Sequence, residues 1–310
     1  MSFTENVKNE LARLIRGGTE ERRAELLALL RMSGSAVTGG GGGWGVEFST
    51  GSSAVARRVL VCLKKDYGLT PSVMVRQGRK LRKKNVYTLS VPPFRAGAAF
   101  LSAVGFSPMG SVEDGRLFES AGERRAYLAG AFLGGGSINR PQSDYHMEMV
   151  TQSYHFAEQI MEIMGTFRMH PRMTERKGGY IVYIKDGDEA GNFLQITGAM
   201  QSYMEFENVR VMKDMRNQVN RQVNCETANL QKSVNASVRQ VHQIQAVRAF
   251  YDDQRLPARL VETMKLRLAH PNATLAELSE LCGISKSGLA HRFQKISALA
   301  EGIPGGDKKE

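Results

Sequence analysis

The chain has 310 residues, of which 42% are hydrophobic and 24% are charged, as in a globular protein rather than a disordered one. Lys and Arg number 42 against 31 Asp and Glu, so the formal net charge is +11. This excess favours a polyanionic partner, either nucleic acid or an acidic membrane surface. No apolar run approaches the roughly 18 residues of a membrane span. The opening MSFTENVKNELARLI predicts an amphipathic helix rather than a secretory signal, so we expect a cytoplasmic protein without a membrane partner.

An internal repeat organises the next part of the chain. The first copy contains LLALLRMSGSAV, WGVEFST, SSAVARRVLVCLKKDYG and NVYTLSV, and the second contains YLAGAFLGGGSIN, HMEMVTQ, SYHFAEQIMEIMG and YIVYIKD. Gly34 and Gly136 lie at equivalent points, 102 residues apart. Apolar spacings of three and four predict helices, and alternating β-formers predict strands.

Each copy therefore predicts helix, hairpin, helix, hairpin, helix. The copies span about residues 20–91 and 123–186, and together they predict an α+β domain of two pseudo-symmetric halves over residues 1–198. The glycine run Gly39 to Gly43 predicts the turn of the first hairpin.

A basic segment, RQGRKLRKK, lies between two predicted strands of the first copy. As a hairpin tip it is a candidate phosphate contact for double-stranded DNA, and a solubilising loop is a nearly equal alternative. Six of its nine residues are basic: Arg76, Arg79, Lys80, Arg82, Lys83 and Lys84.

The strings LLALLRMSGSAV and YLAGAFLGGGSIN resemble the helical motif of the LAGLIDADG homing endonucleases. In that family two such helices pack side by side, and an acid before the closing glycine holds a divalent metal at the scissile phosphate. The equivalent positions here are Ser33 and Gly135, and the motif's earlier acid falls on Arg31 and Leu133. None carries a carboxylate, so we predict a helix interface without catalytic or metal-binding residues and no enzyme activity. A metal-dependent endonuclease remains the enzyme alternative. Neither a metal site nor a cofactor is predicted elsewhere.

Residues 199–255 predict a helical linker. No Gly or Pro occurs from Ala199 through Leu256, and apolar residues recur on one side at Val219, Val223 and Leu230. Because asparagine competes with helical hydrogen bonds, the six asparagines of this stretch predict one or more breaks in the helix.

Residues 256–296 predict a helix-turn-helix domain, followed by a flexible tail at 297–310. In ATLAELSELCGISKSGLAHRFQKI, Thr274 caps a first helix, the turn falls at Cys282, Gly283 and Ile284, and Ser285 caps a second helix. Ser279 is small enough for the two helices to cross.

The second helix carries basic residues and no acid from Ser285 to Lys295. Its N-terminal Ser285, Lys286 and Ser287 would face the major groove, with His291 one turn further along. Arg292 and Lys295 are predicted phosphate contacts, which fix position rather than sequence. A solvated charged face is the alternative.

Across nearly its full length the chain resembles the WhiA family of sporulation and cell-division regulators. The resemblance rests on MSFTENVKNELARL, GAFLGGGSIN, NVRVMKDMRNQVNRQVNCETANLQK and ISKSGLAHRFQKI. It implies a sequence-specific, nucleoid-associated DNA-binding transcription regulator of cell-division, chromosome-segregation or sporulation genes in a Gram-positive bacterium. The competing hypothesis is an interaction scaffold that recruits RNA polymerase or a second transcription regulator.

Overall fold

The structure is a computed structural model that describes residues 2–39, 42–77, 85–107 and 118–303. Its contacts divide the chain into two compact units, Met1–Asp214 and Met215–Glu310. None of the helices in these described ranges has the length and apolar character that crossing a membrane requires.

The first unit contains the predicted repeat. After α1 (Phe3–Arg13), the first half runs α2 (Thr19–Ser33), β1 (Gly34–Thr38), β2 (Trp44–Thr50), α3 (Ser53–Tyr67), β3 (Ser72–Gln77), β4 (Asn85–Phe94) and α4 (Gly97–Val104). The second half runs α5 (Ala121–Gly135), β5 (Gly136–Ile138), β6 (Met147–Thr151), α6 (Tyr154–Thr166), β7 (Arg172–Arg176), β8 (Gly179–Ile184) and α7 (Gly187–Thr197). In the described residues each half forms an antiparallel sheet, ordered β1-β2-β4-β3 in one and β5-β6-β8-β7 in the other. The predicted α+β class and the order of elements within each copy are therefore confirmed.

Both predicted hairpins of the first half are present. The backbone N–H of Gly39 donates to the carbonyl of Gly43 at 3.1 Å, which closes the glycine turn between β1 and β2. Strands β3 and β4 pair as far as Gln77 and Asn85. The predicted basic tip lies beyond that pair, and most of it falls outside the described residues, namely Arg79, Lys80, Arg82, Lys83 and Lys84.

The two halves meet where α2 packs along α5, and both helices are almost entirely buried in their C-terminal parts. Gly130 makes this close approach possible. A Cβ atom at Gly130 would lie 2.4 Å from the backbone oxygen of Glu25 and 2.9 Å from the Cβ of Ala28. The interface therefore requires glycine for steric reasons.

The second unit is helical in its described residues. Its elements are the part of α8 (Met200–Phe250) that follows Asp214, a short 3₁₀ turn (Asp253–Arg255), α9 (Ala258–Ala269), α10 (Leu275–Cys282) and α11 (Lys286–Glu301). Its core is formed by Ile244, Val247, Leu260, Met264, Leu278, Leu289, Phe293 and Ile296.

The predicted breaks in the asparagine-rich stretch were wrong, because α8 is one helix of 51 residues. Each asparagine costs only about 0.7 kcal/mol relative to alanine, and nothing in the stretch removes a backbone donor as proline would. Side-chain hydrogen bonds one turn apart also stabilise the helix, for example the bond that Gln231 Nε2 donates to Asn235 Oδ1 at 2.9 Å.

Residues 199–255, the predicted linker, fall partly in each of the two units. The division at Asp214 and Met215 falls inside α8. Phe206 is buried in the core of the first unit, whereas Ile244 belongs to the core of the second. The two ends of the predicted 199–255 segment are therefore parts of different folding units.

Candidate nucleic-acid interface

In the first half, the position of the earlier acid of the LAGLIDADG motif is filled by a buried arginine. Only 8% of Arg31 is exposed. Its Nη1 donates to the hydroxyl of Tyr127 at 3.2 Å and to Oε1 of Gln159 at 2.6 Å. Its guanidinium also lies 4.8 Å from the ring centroid of Phe156. Because Arg31 is on α2 and these partners are on α5 and α6, it links the two halves.

The other three equivalent positions are also closed. The hydroxyl of Ser33 donates to the backbone oxygen of Gly134 at 3.1 Å, and Leu133 is fully buried. A Cβ at Gly135 would lie 2.5 Å from the backbone oxygen of Val150, so an acidic side chain does not fit there.

These residues do not fit a divalent metal. Mg²⁺ takes oxygen ligands, above all carboxylates, and the four positions offer none while holding a cation in Arg31. No group of three His, Cys, Asp or Glu side chains capable of holding a metal occurs in the part of the chain that the structure describes.

A second buried polar cluster occupies the equivalent place in the first half. Glu25 lies nine residues before Gly34, as Tyr127 lies nine before Gly136, and Glu25 is ion-paired with Arg58 and Arg16. Burial lowers the pKa of Arg58, but the charge and hydrogen bond of Glu25 outweigh that effect and leave the pKa raised.

Sequence reasoning missed both clusters. Their signal was a set of charged residues inside otherwise apolar helical runs, Glu25 and Arg31 in α2 and Arg58 in α3.

The helix-turn-helix has the predicted caps and turn. The Thr274 hydroxyl accepts from the backbone N–H of Glu277 at 3.2 Å and starts α10. Gly283 has a φ of 67°, a left-handed conformation that favours glycine in the turn. The Ser285 hydroxyl accepts from the N–H of Gly288 at 3.2 Å and starts α11. Ser279 also has a role beyond its size, because its hydroxyl donates to the backbone oxygen of Ile284 and braces the turn.

Helix α11 has one buried face and one exposed face. Leu289, Phe293 and Ile296 point into the core of the second unit. The side chains on the other sides are exposed and include the predicted contacts Ser285, Lys286, Ser287, His291 and Lys295.

Gln294 joins this exposed face and was missed from the sequence. It lies three residues after His291 and seven after Ser287, so the helical period places the three on one side. Glutamine is a side chain that can pair with adenine in the major groove. The spacing alone could have identified it.

Arg292 is partly engaged within the protein. Its Nη1 donates to the backbone oxygen of Arg259 at 3.2 Å and to the hydroxyl of Thr263 at 3.3 Å, both on α9. Its predicted phosphate contact would have to use the remaining N–H groups. Replacing Arg292 would therefore disturb the packing of α11 as well as any DNA contact.

A buried arginine, Arg267, packs against the buried face of α11. It is 1% exposed, its Nε donates to Gln240 Oε1 at 3.0 Å, and its Nη1 donates to the backbone oxygens of His270 and Ala273. Its guanidinium lies 5.4 Å from the ring centroid of Phe293, and burial lowers the pKa of Arg267. These contacts join α8, α9, the loop before α10 and α11 into one rigid support.

Of the predicted basic hairpin, the structure describes Arg76. This residue is exposed near the end of β3, and its Nε contacts the sulfur of Met74 at 3.3 Å. Arg76 belongs to the first unit and the α11 residues belong to the second, so they are two surfaces on different units.

The two units define a class of protein, a LAGLIDADG-like domain joined to a C-terminal helix-turn-helix domain. Residues 19–107 match the family described as the WhiA N-terminal LAGLIDADG-like domain, residues 124–216 the WhiA LAGLIDADG-like domain, and residues 219–300 the WhiA C-terminal HTH domain.

Similar full-length proteins give the same result. The chain is 40% identical to a "Probable cell division protein WhiA" of Alkaliphilus metalliredigens, over 97% of this chain and 98% of the relative. It is also 40% identical to the protein of that name in Desulforamulus reducens, over 99% and 97%. The chain therefore belongs to the WhiA family.

Solved structures share the fold. The crystal structure of full-length WhiA from Thermotoga maritima matches with a TM-score of 0.60 at 23% identity, over 97% of this chain and 98% of that one. The isolated N-terminal LAGLIDADG domain of WhiA matches with a TM-score of 0.51, over 64% of this chain and 90% of that one.

Proposed function

We propose that this chain is a sequence-specific DNA-binding transcription regulator that reads its sites with α11. The observation that carries the proposal is the exposed, acid-free face of that helix. From Lys286 to Ala300 no Asp or Glu occurs, while the opposite face is buried in the core. A helix with this distribution of charge is suited to the major groove of a polyanionic duplex.

The exposed side chains divide into two roles. Ser287, His291 and Gln294 face outward along one side and would contact base edges, together with Ser285 and Lys286 at the start of the helix. Lys295 and the free N–H groups of Arg292 would contact phosphates. In the first unit, the hairpin that starts at Arg76 would add phosphate contacts.

The regulated genes follow from the relatives. Because the matched proteins are named probable cell division proteins, the proposed targets are genes of cell division, chromosome segregation or sporulation. A regulator of this kind would act in the cytoplasm of a Gram-positive bacterium and associate with the nucleoid.

The first prediction concerns salt. If about six to ten phosphates are contacted, the affinity for a duplex should fall by roughly 10³–10⁵ between about 50 and 200 mM salt. Fluorescence anisotropy with labelled DNA across that range measures it. A nearly flat response would contradict an electrostatic interface.

The second prediction separates the two roles on α11. Gln294→Ala should weaken binding to a specific site by about 1–3 kcal/mol and leave binding to random duplex unchanged. Lys295→Gln should weaken both equally. The specific site is taken from genome-wide crosslinking of the protein to chromosomal DNA.

Gln245→Ala is the matched control, because Gln245 is also an exposed glutamine on a helix of the second unit. Equal losses on specific and random duplexes for Gln294→Ala would refute the base-reading role. The variants avoid Arg292 because of its contacts to α9.

The proposal also excludes nuclease activity. The purified protein should leave supercoiled plasmid intact with Mg²⁺ or Mn²⁺, since Ser33 and Gly135 occupy positions where carboxylates would be needed. Reproducible cleavage would contradict it.

An interaction scaffold is the second candidate, and exposed apolar residues on α8 favour it. Val219 is 58% exposed and Leu230 is 63% exposed. Such a scaffold could recruit RNA polymerase or a second regulator. In that case a chain lacking residues 256–310 should keep its main cellular role, which DNA reading through α11 does not allow.

A further inference from the structure

Helix α8 carries a second polar surface that the helix-turn-helix does not account for. We infer that this surface also binds double-stranded DNA, an inference that rests on the proposed DNA-binding function. The surface, called here the polar stripe, consists of Asn217, Arg221, Asn224, Lys232, Asn235 and Arg239.

The helical period places these residues on one side of α8. At about 100° per residue, their successive spacings of 4, 3, 8, 3 and 4 residues keep all six within an arc of about 80° around the helix axis. All six are exposed, and the whole stripe lies within the second unit. From Asn217 to Arg239 the stripe is roughly 33 Å long at about 1.5 Å per residue.

The charge of this part of α8 favours a polyanion. Between Met215 and Phe250 there are five basic residues and a single acid, Glu226. Glu226 lies five residues after Arg221, a rotation of about 140°, and it accepts a hydrogen bond from Gln222 at 3.1 Å. No acid therefore shares the face of the stripe.

The basic groups of the stripe are available to a ligand. Within the described residues, the side chains of Arg221, Lys232 and Arg239 make no hydrogen bond or ion pair. By contrast, Arg248 on the same helix is paired with Asp253 at 3.5 Å. Three unpaired cations on one helix face, with no acid of α8 on that face, favour a polyanionic ligand.

The side chains between these cations favour DNA over an acidic protein. Asparagine pairs with adenine in two hydrogen bonds, and alanine contacts the thymine methyl group. Asn224 and Asn235 flank the centre of the stripe, where the small exposed Ala228 lets the helix approach closely. Continuous helices with such residues lie in the major groove in known DNA-binding proteins.

The stripe and α11 belong to the same compact unit. Ile244 and Val247, at the C-terminal end of α8, are buried in the same core as Leu289 and Phe293 of α11. Gln243 Nε2 also donates to the hydroxyl of Ser297 at 2.7 Å. Ile244 lies five residues after Arg239, a rotation of about 140° along α8, so the stripe faces away from this core and is open to a ligand.

The test compares single-charge variants of the full-length chain on a random-sequence duplex. Arg221→Gln removes a charge from the stripe, and Arg216→Gln removes one from an equally exposed position five residues earlier, on another face of the same helix. Anisotropy titrations between about 50 and 200 mM salt give the dependence of the binding constant on salt.

Each lost phosphate contact lowers the slope of log K against log salt by about 0.9. For Arg221→Gln, the loss of affinity between about 50 and 200 mM salt should therefore be about 3.5-fold smaller than for the unmodified chain. Changing Arg221, Lys232 and Arg239 together to Gln should make it about 40-fold smaller. Arg216→Gln should leave the slope unchanged, and Arg221→Lys should restore it.

The possible failures are distinguishable. If the unmodified chain binds no duplex, both this inference and the proposed function fail. Suppose instead that the unmodified chain binds duplex, that Lys295→Gln lowers the slope, and that the triple variant leaves the slope unchanged. The stripe inference is then overturned, while the proposed function of α11 stands. Equal effects of Arg216→Gln and Arg221→Gln on the slope would also overturn the stripe inference. They would show that the overall positive charge of the helix, rather than contacts on one face, attracts the DNA.

Discussion

Gly130→Ala is expected to destabilise the first unit by about 3 kcal/mol. Helices α2 and α5 approach so closely that the new methyl group would meet the backbone oxygen of Glu25 at 2.4 Å. Overpacking in a core commonly costs about 1–3 kcal/mol, and the upper end applies because a backbone atom has no alternative rotamer. The effect should spread to both halves, since this helix pair is their shared interface.

The single tryptophan provides the measurement. Trp44 lies on β2 in the first unit, so its fluorescence follows the urea unfolding of that unit. Gly165→Ala is the matched control, because Gly165 lies in α6 with nothing within 4 Å of the added Cβ. The control should stabilise the unit by about 0.5–1 kcal/mol. Similar unfolding midpoints for both variants would show that the close approach is not needed.

Much of the fold could be predicted because its signals lie within short segments of the sequence and because the same pattern occurs in two copies. Hydrophobic periodicity, turn glycines and caps such as Thr274 and Ser285 act over a few residues, so they can be recognised in the sequence. The long-range pairing of α2 with α5, which no single segment reveals, was implied by the resemblance of both strings to the LAGLIDADG motif. The helix-turn-helix could be predicted for the same reason, because its caps and turn glycine are local signals.

The continuity of α8 could not be predicted from asparagine content. Asparagine is a weak helix former, but its unfavourable contribution is small beside the effect of proline or glycine, both of which α8 lacks. The interpretation failed because it treated a propensity of less than 1 kcal/mol per residue as a break. The same assumption hid the polar stripe, since Asn217, Arg221 and Asn224 share a face only if the helix continues through them.

The role of Arg31 could not be predicted for a different reason. Its partners Tyr127 and Gln159 lie 96 and 128 residues away in sequence, and their contact depends on how the halves pack. From the sequence, Arg31 could be interpreted only as a missing acid. In the structure Arg31 links the two halves through buried hydrogen bonds, so a cation with its own partners occupies the position of the motif's earlier acid.

That difference gives the second large prediction. Arg31→Asp, which returns a carboxylate to the position, is expected to destabilise the first unit by about 3–5 kcal/mol. The shorter side chain would lose the hydrogen bonds to Tyr127 and Gln159 and the contact with Phe156. Its charge would be buried without a cation, beside the acceptor oxygen of Gln159.

Arg31→Met is the control, with an expected change within about 1 kcal/mol, because methionine keeps most of the buried volume. Tyr127 and Gln159 would stay satisfied, since the Tyr127 hydroxyl donates to Gln159 Oε1 at 2.8 Å. Both variants are followed by Trp44 fluorescence in urea. Equal stability of the Asp and Met variants would show that the acid is still tolerated at this position. A large gap in unfolding free energy between them would show that the packing at this position opposes the return of the acid.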